Sequence, residues 1–232
     1  MKHVSWMKMV REIQIRSLDR ELDRVVREHI DALARDARPT PGTLYHYTDL
    51  RSFFSIVESR EWWAKDQRCQ RDRDEFRHTA QLAREVAAEL AATASSPVAQ
   101  ILRDFQLGDD RLEPRNLLRC FLGCFSFARD CAQIWSAPDY QHAQVCFGLT
   151  LLQEESPEMR GVAPLQLAVS YDSASWAKNL RAGFARVKEV LERYARGGVA
   201  FEVPQDSYLL AQAALGQVAA VVAMTAKDRS FQ

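Results

Sequence analysis

The run Leu44–Asp49 constrains this chain more than any other stretch, because it places a histidine inside an aromatic strand that leads directly into a helix. The Leu, Tyr and Thr residues around His46 favour an extended strand. Thr48 or Asp49 can cap the following helix, since their side-chain oxygens accept hydrogen bonds from the free amides of a first helical turn. The ring of His46 can point into a cleft, or it can be a half-buried core residue with internal hydrogen bonds. The residues alone leave both interpretations open.

The helix after this run and the charged segment beyond it are also defined by their residue types. The helix, at about residues 50–60, is expected to turn four apolar side chains inward: Phe53, Phe54, Ile56 and Val57. Acidic residues then cluster at Asp72, Asp74 and Glu75, where they could hold a metal ion in a nuclease or another hydrolase. Acidic side chains also favour the first turn of a helix, so the same cluster is as typical of a helix start.

Five short segments follow one another in a characteristic order: Leu44–Thr48, Trp62–Ala64, Asp72 with Glu75–Phe76, Phe125–Ser126 with Trp135, and Val145–Gly148. In order and spacing they resemble a bacterial family known as domain of unknown function family 2971. The similarity runs from about residue 44 to residue 148 and continues more loosely through Ser170–Asp172. Two positions depart from the family pattern, since Arg71 stands where the family has Asn and Pro138 where it has Tyr.

This family is distantly similar to ADP-ribosyltransferases, in which a histidine after a leading Leu-Tyr helps to hold NAD. The resemblance therefore implies an NAD-using transferase, acting as a bacterial toxin or a phage-defence effector on a protein or nucleic-acid acceptor. His46 would bond a ribose hydroxyl, and Tyr45, Tyr47 or Trp135 would stack on the nicotinamide. Loss of nicotinamide leaves a cation-like sugar, which a nearby carboxylate would stabilise.

The site residues that the resemblance implies form two groups. The catalytic residues would be His46, Asp72 and Glu75, and the residues that bind NAD would be Tyr45, His46, Tyr47, Thr48, Ser126 and Trp135. Ser126 could equally cap a turn, and Trp135 could be part of the core. The family usually closes with a Phe-x-x-Glu-x-Glu-Trp-Arg-like segment, and this sequence ends at Lys227–Gln232, where that segment would begin. Either the chain is shortened or it lacks a closing acidic residue, which would favour a non-catalytic binding module of the same fold.

Residues from about Val4 to Arg38 predict a long helix that leads to a proline-containing linker. The residues of its seam recur at three- and four-residue steps: Ile15, Leu18, Leu22, Val25 and His29 with Ile30. Three roles fit this pattern, namely packing on its own domain, homodimerisation, and contact with a protein or nucleic-acid partner. The predicted organisation is a helical arm at residues 1–38 followed by one domain at residues 43–232.

The remaining pattern predicts an α+β fold in which helices surround several central strands, and the resemblance implies that these strands form a mixed β-sheet like that of ADP-ribosyltransferases. Strands are expected at Leu117–Phe127, Gln144–Leu152 and Leu165–Tyr171, with Val218–Met224 as a final strand or a helix end. A long helix is expected to start at Asp172 or Ser173 and to end at Arg196. Its inward-facing side chains are expected to be Trp176, Leu180, Phe184, Val187, Val190 and Leu191. The sequence has no glycine-rich phosphate loop, nucleophile elbow or His-Glu-x-x-His motif, which argues against P-loop, Rossmann, α/β-hydrolase and zincin assignments.

Charge and cysteine content limit the classes of partner and of site. The 31 basic and 31 acidic residues balance, so nothing demands a nucleic acid, although a local basic face remains possible. There is no run of about 20 apolar residues and the first 36 residues are rich in charge, so we expect a soluble, cytoplasmic protein without a signal peptide or membrane contact. The five cysteines, an odd number, predict buried free thiols rather than a disulfide framework or a metal site.

Overall fold

The computed structural model describes residues 3–36, 43–61, 65–66, 73–105, 121–122, 142–150, 172–201 and 206–225, and the single residues 125, 126, 129, 132 and 135. The helices are α1 (His3–Asp36), α2 (Leu50–Ser59), α3 (Arg73–Ala91), α4 (Ser96–Arg103), α5 (Ser173–Arg196) and α6 (Asp206–Thr225). The strands are β1 (Thr43–Thr48), β2 (Lys65–Asp66), β3 (Phe121–Leu122) and β4 (Val145–Thr150).

The chain divides into two compact units, each made of segments that are separate in the sequence. The helical unit comprises Met1–Asp36, Arg71–Arg119 and Leu167–Lys227, and therefore contains α1, α3, α4, α5 and α6. The strand unit comprises Ala37–Gln70, Cys120–Gln166 and Asp228–Gln232, and contains the four strands and α2.

Helix α6 is the most deeply buried element of the helical unit. It packs against α1, α3 and α5, and its apolar residues surround the helix instead of forming one stripe, as burial by several neighbours requires. By length and composition alone α6 could also cross a membrane, but core helices meet the same criteria, and 67% of its apolar stretch is buried inside the structure. We therefore describe α6 as a core helix.

Helices α1 and α5 pack on α6 and on each other through the stripes that the sequence predicts. On α1 the buried residues at three- and four-residue steps are Leu18, Leu22, Val25 and Val26. On α5 all six side chains expected to face inward are buried: Trp176, Leu180, Phe184, Val187, Val190 and Leu191. Asp172 caps α5, because its carboxylate accepts hydrogen bonds of 3.1 Å from the amides of Ala174 and Ser175. The second half of α1 thus packs on its own unit.

In the strand unit, β1 pairs antiparallel with β4, from Thr43 opposite Thr150 to Thr48 opposite Val145. On its other edge β1 forms one bridge to Ser126, in which the two backbones exchange hydrogen bonds of 2.8 Å. The short strands β2 and β3 form a second antiparallel pair. Helix α2 begins directly after β1, where the Asp49 carboxylate accepts a 2.8 Å hydrogen bond from the amide of Ser52.

The prediction of an α+β fold with a central mixed sheet is wrong. The described residues are mostly helical, and their strands form only two antiparallel pairs and one bridge. Val218–Met224 lies within α6, because a continuous apolar run suits a buried helix as well as a buried strand, and alanines in this run favour the helix. Within Leu117–Phe127 only Phe121–Leu122 is described as a strand, and Leu165–Tyr171 lies outside the described residues. The strand expected at Gln144–Leu152 is confirmed as β4.

The prediction that α2 buries its apolar side chains is also wrong. No side chain of α2 is buried, and Phe54 and Val57 are each 56% exposed. Phe53 and Ile56 are half-buried. An amphipathic pattern shows which side chains share a face, but it does not show what covers that face.

Candidate functional site

Strand alternation divides the site residues predicted on β1 between two faces. Successive side chains of a strand point to opposite faces, and directly paired residues of neighbouring strands share a face. The face that carries His46 and Thr48 also carries Phe147 and Val145 of β4, and we call it the His46 face. The opposite face, called the Tyr47 face, carries Thr43, Tyr45 and Tyr47 with Cys146 and Gly148 of β4.

On the His46 face, the imidazole lies between two phenylalanine rings. The centroid of the His46 ring is 5.6 Å from that of Phe125, at an interplanar angle of 52°, and 5.6 Å from that of Phe147, at 79°. Phe53 of α2 continues the group, because its ring centroid is 5.3 Å from that of Phe147. All four side chains are half-buried. The result is a partly exposed imidazole with aromatic rings on two sides.

On the Tyr47 face, the aromatic side chains form packing contacts. Tyr47 is only 4% exposed, and its ring meets that of Trp135 edge to face at a centroid distance of 4.9 Å. Tyr45 lies beside Gly148, where an added Cβ would come 3.2 Å from Tyr45 Cε1 and 2.5 Å from Thr43 Cγ2. The Tyr47 ring therefore offers no open surface to a ligand, and Gly148 leaves the room that the Tyr45 ring needs.

The two predicted catalytic acids belong to a different part of the chain from His46. Glu75 lies in the first turn of α3, which belongs to the helical unit, and Asp72 lies outside the described residues. Asp49, three residues after His46, accepts hydrogen bonds from the amide and the hydroxyl of Ser52, and these bonds lower the pKa of its carboxyl. Asp49 is thus engaged in capping α2.

The backbone bridge to β1 determines the position of Ser126, another of the predicted site residues. The backbone of Ser126 exchanges hydrogen bonds with that of Tyr45, which places the adjacent Phe125 beside His46.

The Cys146 thiol donates a 3.0 Å hydrogen bond to the carbonyl of Arg129. The other four cysteines lie outside the described residues, and within the described part of the chain no group of three His, Cys, Asp or Glu residues could hold a metal ion.

Sequence reasoning did not include the phenylalanines at positions 53, 125 and 147 among the site residues. The signal that could have identified Phe147 is the register of β1 with β4, which places it directly opposite His46. That register becomes apparent only once the two strands are paired, since they are separated by about a hundred residues of sequence.

No protein-family model matches this chain, and no curated protein and no solved structure is significantly similar to it. The resemblance to family 2971 therefore stays a prediction that rests on the five sequence segments alone.

Proposed function

We propose that this protein is an NAD-using, ADP-ribosyltransferase-like protein that holds its nucleotide on the His46 face. The observation that carries the proposal is the half-buried imidazole between the rings of Phe125 and Phe147. An imidazole can exchange hydrogen bonds with a ribose hydroxyl. The side-chain hydroxyl of Thr48 lies on the same face and is a second group that can form hydrogen bonds there.

The aromatic neighbours of His46 suit a flat base next to the ribose. Stacking of a base on an aromatic side chain is worth about 1–3 kcal/mol. We assign the stacking of this base to the rings of Phe125 and Phe147, because the ring of Tyr47 is buried against Trp135.

Transfer would break the bond between nicotinamide and ribose and would join the ribose to an acceptor. A carboxylate near the developing positive charge on the sugar would accelerate this step. We assign no carboxylate to this step, since Asp49, the acidic residue closest to His46 in the sequence, is committed to the cap of α2. The acceptor can be a protein or a nucleic acid.

Calorimetric titration of NAD into the folded protein tests the proposal. We expect binding by the wild type, and affinity at least about tenfold lower for His46→Ala and for Phe147→Leu, which keeps an apolar side chain but removes the ring. Thr43→Ala is the matched control, because Thr43 lies on the same strand but on the Tyr47 face, and it should bind as the wild type does. The absence of NAD binding by a wild type with normal circular dichroism would refute the proposal, as would equal weakening by Thr43→Ala.

A second candidate function, a non-catalytic interaction module, is favoured by the first turns of α1. Trp6, Met9 and Ile13 recur at three- and four-residue steps and are 62%, 44% and 59% exposed. Exposed apolar stripes of this kind mark contact surfaces. The occupant we propose is the α1 stripe of a second copy of the chain. Light scattering should then show a dimer that the double variant Trp6→Glu/Ile13→Glu converts to monomers, and a monomeric wild type would exclude this candidate.

A further inference from the structure

His29 is buried where α1 meets α5 in the helical unit, and it is only 5% exposed. Gly183 of α5 makes room for its ring, since an added Cβ at that position would come 2.9 Å from Nε2 of His29. The same Cβ would come 2.5 Å from Cγ1 of Val218, on α6. The imidazole thus lies close to the place where α1, α5 and α6 meet.

The burial of this ring suits only its neutral form. Nε2 of His29 has no hydrogen-bond partner among the described residues. An imidazolium at this place would be a buried charge without a bonded counter-ion, which is far more costly than a buried neutral ring. Burial, together with the guanidinium of Arg186, lowers the pKa of His29.

The charged groups around His29 belong to α1 and α5. Arg186 of α5 pairs with Glu28, and Glu28 also accepts a 2.8 Å hydrogen bond from Arg24 of α1. Helix α6 contributes no Asp, Glu, Lys, Arg or His between Ser207 and Thr225. Glu28 is therefore already shared by two arginines, and Asp206 at the first position of α6 is the one acidic residue of that helix.

We propose that His29 is an acid-sensitive latch, and that protonation of its imidazole releases α1 from α5 and α6. His29 lies in the middle of the buried stripe of α1, between Val25 and Leu33, so a charged ring reaches water only if this stripe leaves its neighbours. Helices α3, α4, α5 and α6 also pack on one another, which leaves a core after α1 has detached. The latch is independent of NAD and of the His46 face.

The direction of the pH effect follows from the two states of His29. The imidazole of an unfolded or detached α1 takes up a proton near its usual pKa of about 6.5, whereas the buried ring does so only at lower pH. The latch is therefore intact above about pH 6.5 and is lost as the pH falls through the lower pKa of the buried ring. Arg193 lowers the pKa of the Glu21 carboxyl further below this range, so Glu21 keeps its charge while His29 titrates.

Hydrogen–deuterium exchange on the full chain at about pH 7.5 and about pH 5, corrected for intrinsic exchange rates, tests the latch. We expect amides between Leu18 and Leu33 to lose protection by up to about tenfold for each pH unit below the usual pKa of histidine. Amides of α3 and α4 should keep their protection.

Two substitutions and one control decide whether His29 is responsible. His29→Leu and His29→Gln remove the titrating group, and both should abolish the acid response of α1. His29→Gln keeps a polar side chain and serves as the test variant if His29→Leu does not fold. His78→Gln should retain the response, because His78 is exposed on α3. The proposal is overturned by unchanged protection of α1 in the wild type, by a response that survives both substitutions, or by joint loss of protection in α1, α3 and α4.

Discussion

At the scale of single residues, Gly183 shows how closely the helices of the helical unit approach one another. Replacement by Ala adds a Cβ only 2.5 Å from Val218 Cγ1 and 2.9 Å from His29 Nε2, so side chains must shift. Overpacking of this kind costs about 1–3 kcal/mol, while Ala gains up to about 1 kcal/mol over Gly within a helix. We expect Gly183→Ala to lower the free energy of unfolding in urea by about 1–2 kcal/mol.

Gly197, at the end of α5, is the matched control for this prediction. It has an ordinary φ of −78°, and a Cβ there would come no closer than 3.4 Å to another atom. Gly197→Ala should therefore leave the urea midpoint nearly unchanged or raise it slightly. A Gly183→Ala variant as stable as the Gly197→Ala variant would show that the junction has more space than the structure indicates.

At the scale of elements, the start of α5 depends on the Asp172 cap. The carboxylate accepts hydrogen bonds from the amides of Ala174 and Ser175 and a third, of 2.7 Å, from the Ser175 hydroxyl. Removal of an N-cap side chain typically costs about 1 kcal/mol. Asp172→Ala should lower the free energy of unfolding by this amount in a thermal or urea melt.

Asp172→Ser distinguishes capping from charge at the same position. A serine oxygen also accepts from the amides of the first turn, so this variant should retain most of the stability that Asp172→Ala loses. Equal losses in the two variants would mean that the negative charge at the start of α5, and not the cap, is what matters.

The elements that the sequence predicts best are those with one covered face. The inward stripe of α5 is predicted completely because Leu180, Phe184 and Val187 recur at helical spacing beside polar neighbours. For the end of α6 the sequence leaves a strand and a helix end open, and the helix end is correct; a helix covered on all sides has no periodicity to separate it from a buried strand. The site likewise has a part that the local sequence shows and a part that it does not. His46 is visible as a histidine within a strand, whereas Phe147 joins it only through pairing with a distant strand.

At the scale of the whole molecule, contacts between distant segments define both units. In the helical unit the buried Gln212 amide of α6 donates a 2.8 Å hydrogen bond to the carbonyl of Ile101 in α4. In the strand unit β1 pairs with β4 across a similar separation in sequence. Local patterns predict helices and strands, but the energy that selects a helical core over a central sheet comes from such long-range packing, which periodicity does not encode.

The central position of α6 leads to a prediction for the stability of the whole helical unit. Leu215 is completely buried, whereas Leu209 on the same helix is 51% exposed. Truncation of a buried leucine to alanine costs about 2–5 kcal/mol, because both the transfer energy and the packing around the cavity are lost. In detergent-free buffer we therefore expect Leu215→Ala to lower the midpoint of the helical circular-dichroism signal strongly and Leu209→Ala to change it little. Similar effects of the two substitutions, or a protein that keeps its helical signal only in detergent, would contradict the assignment of α6 as a core helix.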